Sequence, residues 1–275
     1  MENYNSYLTE RNNEKSAHID RMSAYEIAKL INDEDKTVAF AVEKELINIA
    51  AAIDAIAERI KAGGRLIYIG AGTSGRLGVL DAAECPPTYG VSKETVMGIL
   101  AGGYGALVAS SEGAEDSAEQ GIADVKAAGL CAKDALFGIS ASGSAGYVNG
   151  SVKYAKELGA LTVGLSCHGS STLSSLCDIA ITPAVGPEVI SGSTRMKAAT
   201  AQKMVLTTIS TGVMVKLGRV HGNMMVYMNP ANVKLRNRAQ RMIEAETGAT
   251  ATDARAVLEK AGYDIKKAID LLKAK

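Results

Sequence analysis

The chain has 275 residues, 47% hydrophobic and 22% charged, with 30 basic and 30 acidic side chains and a formal net charge of zero. That composition excludes a disordered chain, and the balanced charge removes the electrostatic case for binding nucleic acid or an anionic membrane. With no Trp and two Phe, base-stacking platforms are not expected.

The first 22 residues are polar and are expected to form an irregular arm without a secretory signal. From Thr37 to Ala62 the pattern is helical: Val38, Val42, Leu46, Ile49, Ile53, Ile56 and Ile60 recur at spacings of three and four and make one apolar stripe. Gly63 and Gly64 end that helix, and Arg65–Ile69 reads as a short buried strand. The rhythm then repeats. Strands are expected at Val96–Leu100, Asp134–Ser140, Leu161–Ser166 and Asp178–Thr182, with helices at about Asp116–Ala128 and Tyr147–Leu158 and a short one after the third of these strands. Such alternation predicts an α/β fold with a doubly wound, mostly parallel sheet. Beyond it, Thr194–Lys216 and Asn229–Glu246 read as long helices, followed by two small ones that complete a helical C-terminal subdomain. The expected division is an arm and helix over 1–36, a ligand-binding domain over 37–228 and the helical subdomain over 229–275. No apolar run is long enough to cross a bilayer. The four cysteines (Cys85, Cys131, Cys167 and Cys177) form no CxxC pair, and the three histidines lie far apart, so neither a structural metal site nor a disulfide framework is expected. A cytoplasmic protein is the default expectation.

Ligands of open α/β sheets bind at the carboxyl ends of the strands. Two such ends carry unusual loops. In Gly70-Ala-Gly-Thr-Ser-Gly-Arg76, small residues let the backbone approach an anion, the following helix offers free N–H groups, Gly72, Thr73 and Ser74 line the turn, and Arg76 adds a cation. No GK[ST] follows, so it is not a P-loop, and the dinucleotide fingerprint lacks its acidic partner. The plain alternative is a tight strand–helix turn with no ligand. The second loop, Ser140-Ala-Ser-Gly-Ser144, places the hydroxyls of Ser140, Ser142 and Ser144 around one glycine. Together the loops suggest a phosphosugar or nucleotide site.

Two acidic groups flank these loops. Glu84 lies in Asp81-Ala-Ala-Glu-Cys-Pro-Pro87, where Pro86 and Pro87 are expected to stop the helix just after it. Glu112, Glu115 and Asp116 stand at the opening of the next helix, where the alternative reading is ordinary surface and N-cap acids, which suits Glu112 and Asp116. A pair of carboxylates beside a phosphate site supports proton transfer to and from a sugar. A third segment, Gly186–Lys203, brings Glu188, Ser193, Arg195 and Lys197 as further substrate-binding candidates. Ser193 or Thr194 is expected to cap the long helix, and cations in its first turn oppose the dipole and hint at an anionic partner.

The loops GAGTSGR and SASGS on consecutive strands resemble the sugar isomerase (SIS) fold, which binds phosphosugars. Three longer strings, LIYIGAGTSGRLGVLDAAECPPTYG, SEGAEDS and GPEVISGSTRMKAATAQK, together with INDEDKTV, resemble the N-acetylmuramic acid 6-phosphate etherases from about Ile19 to Arg241. The tail from Ala249 is similar to the small ubiquitin-associated-like bundle that ends many members. The resemblance implies cleavage of the D-lactyl ether of a phosphorylated amino sugar without metal or organic cofactor, by a homodimer. It places the acid at Glu84 and the second catalytic glutamate at Glu115; the chemistry of elimination then suggests Glu115 as base toward the C2 hydrogen and Glu84 as acid to the lactate oxygen and base to the incoming water. A general acid at neutral pH must be partly withdrawn from water, so Glu84 is expected to be partly desolvated. Many members read Ser-Gly-Arg-Thr-Pro-Tyr where this chain reads Ser142-Gly-Ser-Ala-Gly-Tyr147, so a hydroxyl and a cation near the expected phosphate are missing, with Ser144 as a partial substitute. A non-catalytic phosphosugar-binding regulator and a phosphosugar isomerase stand as alternatives. Glu84 discriminates, because isomerisation needs no leaving-group acid.

Overall fold

A computed structural model describes residues 11–109, 111, 113–230 and 232–274. The first ten residues of the expected arm, and Glu112, lie outside the described residues. Five strands, β1 (Leu66–Gly70), β2 (Val96–Leu100), β3 (Ala135–Ile139), β4 (Leu161–Leu165) and β5 (Ile179–Ile181), form one parallel sheet in the order β2-β1-β3-β4-β5. The register sets Tyr68 beside Phe137 and Gly70 beside Ile139, so β1 and β3 end level with each other. All five residues of β1, β3 and β4 are buried, which is why these strands are unbroken apolar runs.

Helices cover both faces. Ile67, Ile69 and Leu136 pack with Val125 of α4 (Ala118–Ala127), Val148 and Val152 of α5 (Gly146–Leu158) and Leu173 of α6 (Thr172–Leu176). On the other face, Tyr68 meets Phe137 edge-on at 5.5 Å and donates a hydrogen bond of 2.9 Å to Asp81 of α3 (Gly72–Tyr89). Asp81 also accepts from Ser210 of α7 (Lys197–Lys216) at 3.0 Å.

The expected helix Thr37–Ala62 is two helices, α1 (Ala24–Glu43) and α2 (Leu46–Lys61). The stripe hides the break because it runs on across the turn: Val38 and Val42 are buried on one side of it, and Ile49 and Ile56 on the other. Leu46, counted in the stripe, is 53% exposed. The start of α1 was written in Ser23-x-x-Glu26, a capping box in which each side chain meets the other's backbone N–H.

The prolines do not stop α3. It continues through Pro86 and Pro87 to Tyr89 and ends at Gly90, which has φ +62° and donates to the Pro86 carbonyl. Proline removes N–H donors but leaves helical φ intact, and the left-handed glycine makes the stop. Glu84 therefore sits within a helix.

Beneath the sheet's amino end, Asp134 is 1% exposed and accepts from the Arg65 backbone N–H at 2.9 Å, from Arg65 Nη2 at 2.7 Å and from the Cys131 N–H at 3.1 Å. Burial alone would raise its carboxyl, but the Arg65 guanidinium and these N–H groups bring it below its ordinary 3.8. Asp134→Ala is expected to cost about 1–3 kcal/mol, measured by denaturant unfolding, because it leaves the Arg65 and Cys131 backbone N–H groups without their acceptor and removes the counterion of an Arg65 guanidinium that still bonds the Ala128 and Gly129 carbonyls. With the folded-state value depressed, the contribution is complete above pH 3.8 and is lost as pH falls through the lower folded value. The difference between wild type and Asp134→Ala should therefore shrink on acidification.

The chain divides into two compact units, one of residues up to Ala83 with Glu94–Val213, the other of Glu84–Lys93 with Met214–Lys275. In the second, α8 (Val233–Thr247), α9 (Ala251–Lys260) and α10 (Ile265–Lys273) close on Ile243, Leu258, Ile265 and Ile269. The long helix expected at Asn229 starts at Val233, where Asn232 caps it by accepting from the Leu235 N–H. Among the described residues no helix is long and apolar enough to cross a membrane.

Candidate functional site

At the carboxyl ends of β1 and β3, two turns feed directly into helices. Gly70 leads through Ala71 into α3, and Ser140–Ala145 leads into α5. The first turn is tight enough to need small residues. A Cβ on Gly75 would lie 2.4 Å from the Gly70 carbonyl oxygen and 2.5 Å from Leu100 Cδ1. The helix start thus rests against the strand end, and its first N–H groups face the space above the sheet. Ala145, at the N-cap of α5, makes no side-chain cap, and of the first N–H groups of that helix Tyr147's is taken by the Glu115 carbonyl.

Between these turns lies a cavity of about 350 Å³. Gly72, Thr73 and Ser74 line one side, and Ser140, Ser142 and Ser144 another. Glu115, Asp116, Gly192 and Thr194 complete the wall. Six hydroxyl side chains therefore converge where two helix starts meet. They are partly pre-set: Ser140 Oγ accepts from the Gly143 N–H at 3.1 Å, and the Ser142 and Ser144 hydroxyls lie 2.8 Å apart. No Lys or Arg lines this cavity among the described residues. Charge for a bound anion comes from helix ends and hydroxyl donors instead.

Glu115 is held by α5. Its carbonyl accepts from the Tyr147 N–H at 2.9 Å, and a Cβ on Gly146 would stand 2.3 Å from the neighbouring Asp116 carbonyl oxygen. Gly146 is what allows the segment carrying Glu115 to lie this close to the helix. Tyr147 is fully buried and donates to Asp124 Oδ2 at 2.6 Å. Glu115 and Gly72 also line a second cavity of about 320 Å³, shared with Arg76.

Several predicted residues take other places. Arg76 turns away from the hydroxyl cradle and donates to the carbonyls of Ala106, Leu107 and Ala109, pinning the loop after β2. Glu188 is completely buried and accepts from the Lys197 and Ala198 N–H groups at 2.9 Å each. It, and neither Ser193 nor Thr194, satisfies the start of α7, which begins three residues later than expected. Burial raises the Glu188 carboxyl despite those two N–H groups. Lys197 is 2% exposed and bonds Glu34 at 2.7 Å, so the expected conflict between cations and the dipole of α7 is resolved internally. Neither Glu188 nor Lys197 lines the cradle. Ser193 is half-buried and Arg195 is exposed, both outside the cavity lining. Glu84 is exposed on the described chain, against the expected desolvation. It lies within α3 and is not among the residues that line the cradle. His221 is engaged with Glu246 at 2.9 Å.

Asp116 and Thr194 reach the cavity although the sequence suggested helix-capping roles for both. The signal for Asp116 was Ser117-x-x-Gln120: Ser117 accepts from the Gln120 N–H and caps α4, which frees Asp116 from that task. Among the described residues no three His, Cys, Asp or Glu side chains group as metal ligands.

Comparison with known proteins gives concordant results. Residues 48–156 match the model of the glucokinase regulatory protein N-terminal SIS domain, and residues 119–211 match the SIS domain. An N-acetylmuramic acid 6-phosphate etherase of Clostridium beijerinckii is 53% identical over 273 residues, 99% of this chain and 90% of that one. The protein of the same name from Caldanaerobacter subterraneus is 53% identical over 95% of this chain and 86% of its own. Among solved structures, a ligand-bound protein of Escherichia coli superposes with a TM-score of 0.53 at 16% identity, covering 74% of this chain and 97% of that one. That likeness establishes the fold.

Proposed function

The chain belongs to the N-acetylmuramic acid 6-phosphate etherase family, and from that premise we propose how its own residues cleave the D-lactyl ether of N-acetylmuramic acid 6-phosphate, releasing N-acetylglucosamine 6-phosphate and D-lactate. The observation that carries the reading is the hydroxyl cradle at two helix starts with Glu115 in its wall. The cradle takes the phosphate, with Gly72, Thr73, Ser74, Ser140, Ser142 and Ser144 as donors. An ether expels a basic alkoxide, so direct displacement is slow. In the open-chain sugar the C1 aldehyde acidifies the C2 hydrogen. Glu115 removes that proton, an acid protonates the lactyl oxygen as the C3–O bond breaks, and water adds to C3 of the unsaturated aldehyde while C2 regains a proton.

The acid is Glu84, acting from a second copy of the chain. Glu84 is exposed on the described chain and does not line the cradle. A homodimer that brings one copy's Glu84 to the other's cradle supplies the acid and covers the exposed carboxylate, giving the desolvation that its role needs. Mixing Glu84→Ala with Glu115→Gln protein and allowing subunits to exchange is expected to recover about a quarter of wild-type activity, since half the dimers are mixed and each holds one intact site. No recovery would place both glutamates in one subunit.

The substrate's phosphate cannot cross a bilayer unaided, which supports a cytoplasmic enzyme acting in the recycling of cell-wall sugars. Incubation with N-acetylmuramic acid 6-phosphate, followed by an enzymatic assay for D-lactate, tests the function. Lactate release without turnover of fructose 6-phosphate or glucosamine 6-phosphate supports the etherase. Binding of N-acetylglucosamine 6-phosphate without lactate release would favour the regulator suggested by the match over residues 48–156.

A further inference from the structure

We propose that Glu34, Lys197 and Glu188 are positioning residues that hold one wall of the cradle, with the segment Asn12–Lys15 as their clasp. The inference rests on the phosphosugar reading of that cavity. The wall in question is the irregular stretch between β5 and α7, which contributes Gly192 and Thr194 to the cavity. It has no strand ladder of its own to fix it.

Polar side chains fix it instead. Glu188 folds back on the first N–H groups of α7. Lys197 reaches α1 through Glu34 at 2.7 Å. Asn13 donates to Glu34 Oε2 at 2.9 Å and to the Pro187 carbonyl at 3.4 Å, Lys15 donates to Glu34 Oε1 at 2.7 Å, and Ser191 donates to Asn12 Oδ1 at 3.0 Å. The loop is thus tied before and after the residues that face the cavity.

Stability does not account for this arrangement. Glu34 is 5% exposed, Lys197 2% and Glu188 0%, and the desolvation of such groups offsets most of what their pairing returns. Apolar side chains of similar volume would hold the helices together at least as well. What they would not do is set the loop's position against the clasp. Because a misplacement of about 1 Å in a substrate-positioning group can cost up to about 10²-fold, such a device acts on binding even though none of its three charged groups lines the cavity.

The test compares KM and kcat for lactate release in Glu34→Gln, Lys197→Met and the apolar double variant Glu34→Leu/Lys197→Met. Each is expected to raise KM about tenfold or more with kcat within about threefold of wild type. The double variant is expected to regain the melting temperature of wild type without regaining its KM. A double variant that melts like wild type and also binds like it would reduce the network to a structural role and overturn the proposal. So would a loss confined to kcat. Should the buried variants fail to fold, Asn13→Ala/Ser191→Ala cuts the clasp at its rim, with an expected rise in KM of about threefold; an unchanged KM there overturns the proposal as well. If the wild type itself releases no lactate, the etherase reading fails on its own, and the same comparison is made on the Kd for N-acetylglucosamine 6-phosphate.

Discussion

Glu84→Ala is expected to lower D-lactate release by about 10³–10⁴-fold, the upper range for removal of a general acid. The size follows from the leaving group: an alkoxide departing without a proton is a strong base, so nearly the whole benefit of the acid is lost. The same variant keeps Glu115 and its hold on α5. Exchange of the C2 hydrogen with solvent deuterium should therefore persist, because proton abstraction precedes C–O cleavage and needs only the base and the C1 carbonyl. Proton NMR of substrate held in deuterium oxide with the variant reads this directly. Normal lactate release from Glu84→Ala would remove it from the reaction. Loss of exchange together with lactate would assign it to the first step instead.

Glu115→Gln is expected to abolish both signals, with lactate release down by at least about 10³-fold. The amide keeps the size of the side chain and leaves the backbone bond from Tyr147 untouched, so the substitution removes the proposed base while the wall of the cradle stays in place. KM should then change little while kcat collapses, the pattern for a group whose contribution is made in the transition state. Retained exchange in Glu115→Gln would point to Asp116, the other carboxylate lining the cavity, as the base.

The sheet was legible in the sequence because buried parallel strands are continuous apolar runs bounded by glycine, and Leu66–Gly70, Ala135–Ile139 and Leu161–Leu165 fall within a residue or two of where those runs predict them. The two turns were legible for a related reason: a strand end packed on a helix start permits only small side chains, as Gly75 illustrates. What depended on distant partners was not legible. The cap of α7 comes from Glu188, nine and ten residues before the N–H groups it satisfies, so the nearer Ser193 and Thr194 look like better candidates. The charge of Lys197 is neutralised by Glu34, 163 positions away. Arg76 resembles a phosphate ligand in its motif, yet it is spent on three carbonyls of a loop that follows another strand. For Glu84 the prolines were misleading: they lie in the last turns of a helix that runs on to Tyr89 and stops at the left-handed Gly90, so Glu84 sits within a helix rather than at its end.

The segment Ser144-Ala145-Gly146 is set by close packing and a hydroxyl contact. Gly146 accommodates the Asp116 carbonyl at a distance no Cβ would tolerate, and Ser144 joins its hydroxyl to that of Ser142. With no Lys or Arg lining the cavity among the described residues, the proposed phosphate recognition rests on helix ends and hydroxyls, whose strength depends on geometry more than on charge.

The most direct measurement is wild-type turnover of N-acetylmuramic acid 6-phosphate in deuterium oxide, with D-lactate and the isotope at C2 of the sugar product determined together. Elimination through Glu115 followed by addition of water yields one D-lactate per sugar and deuterium at C2. Lactate released with the original hydrogen still at C2 would mean direct displacement at the ether, and the two-carboxylate elimination would be wrong.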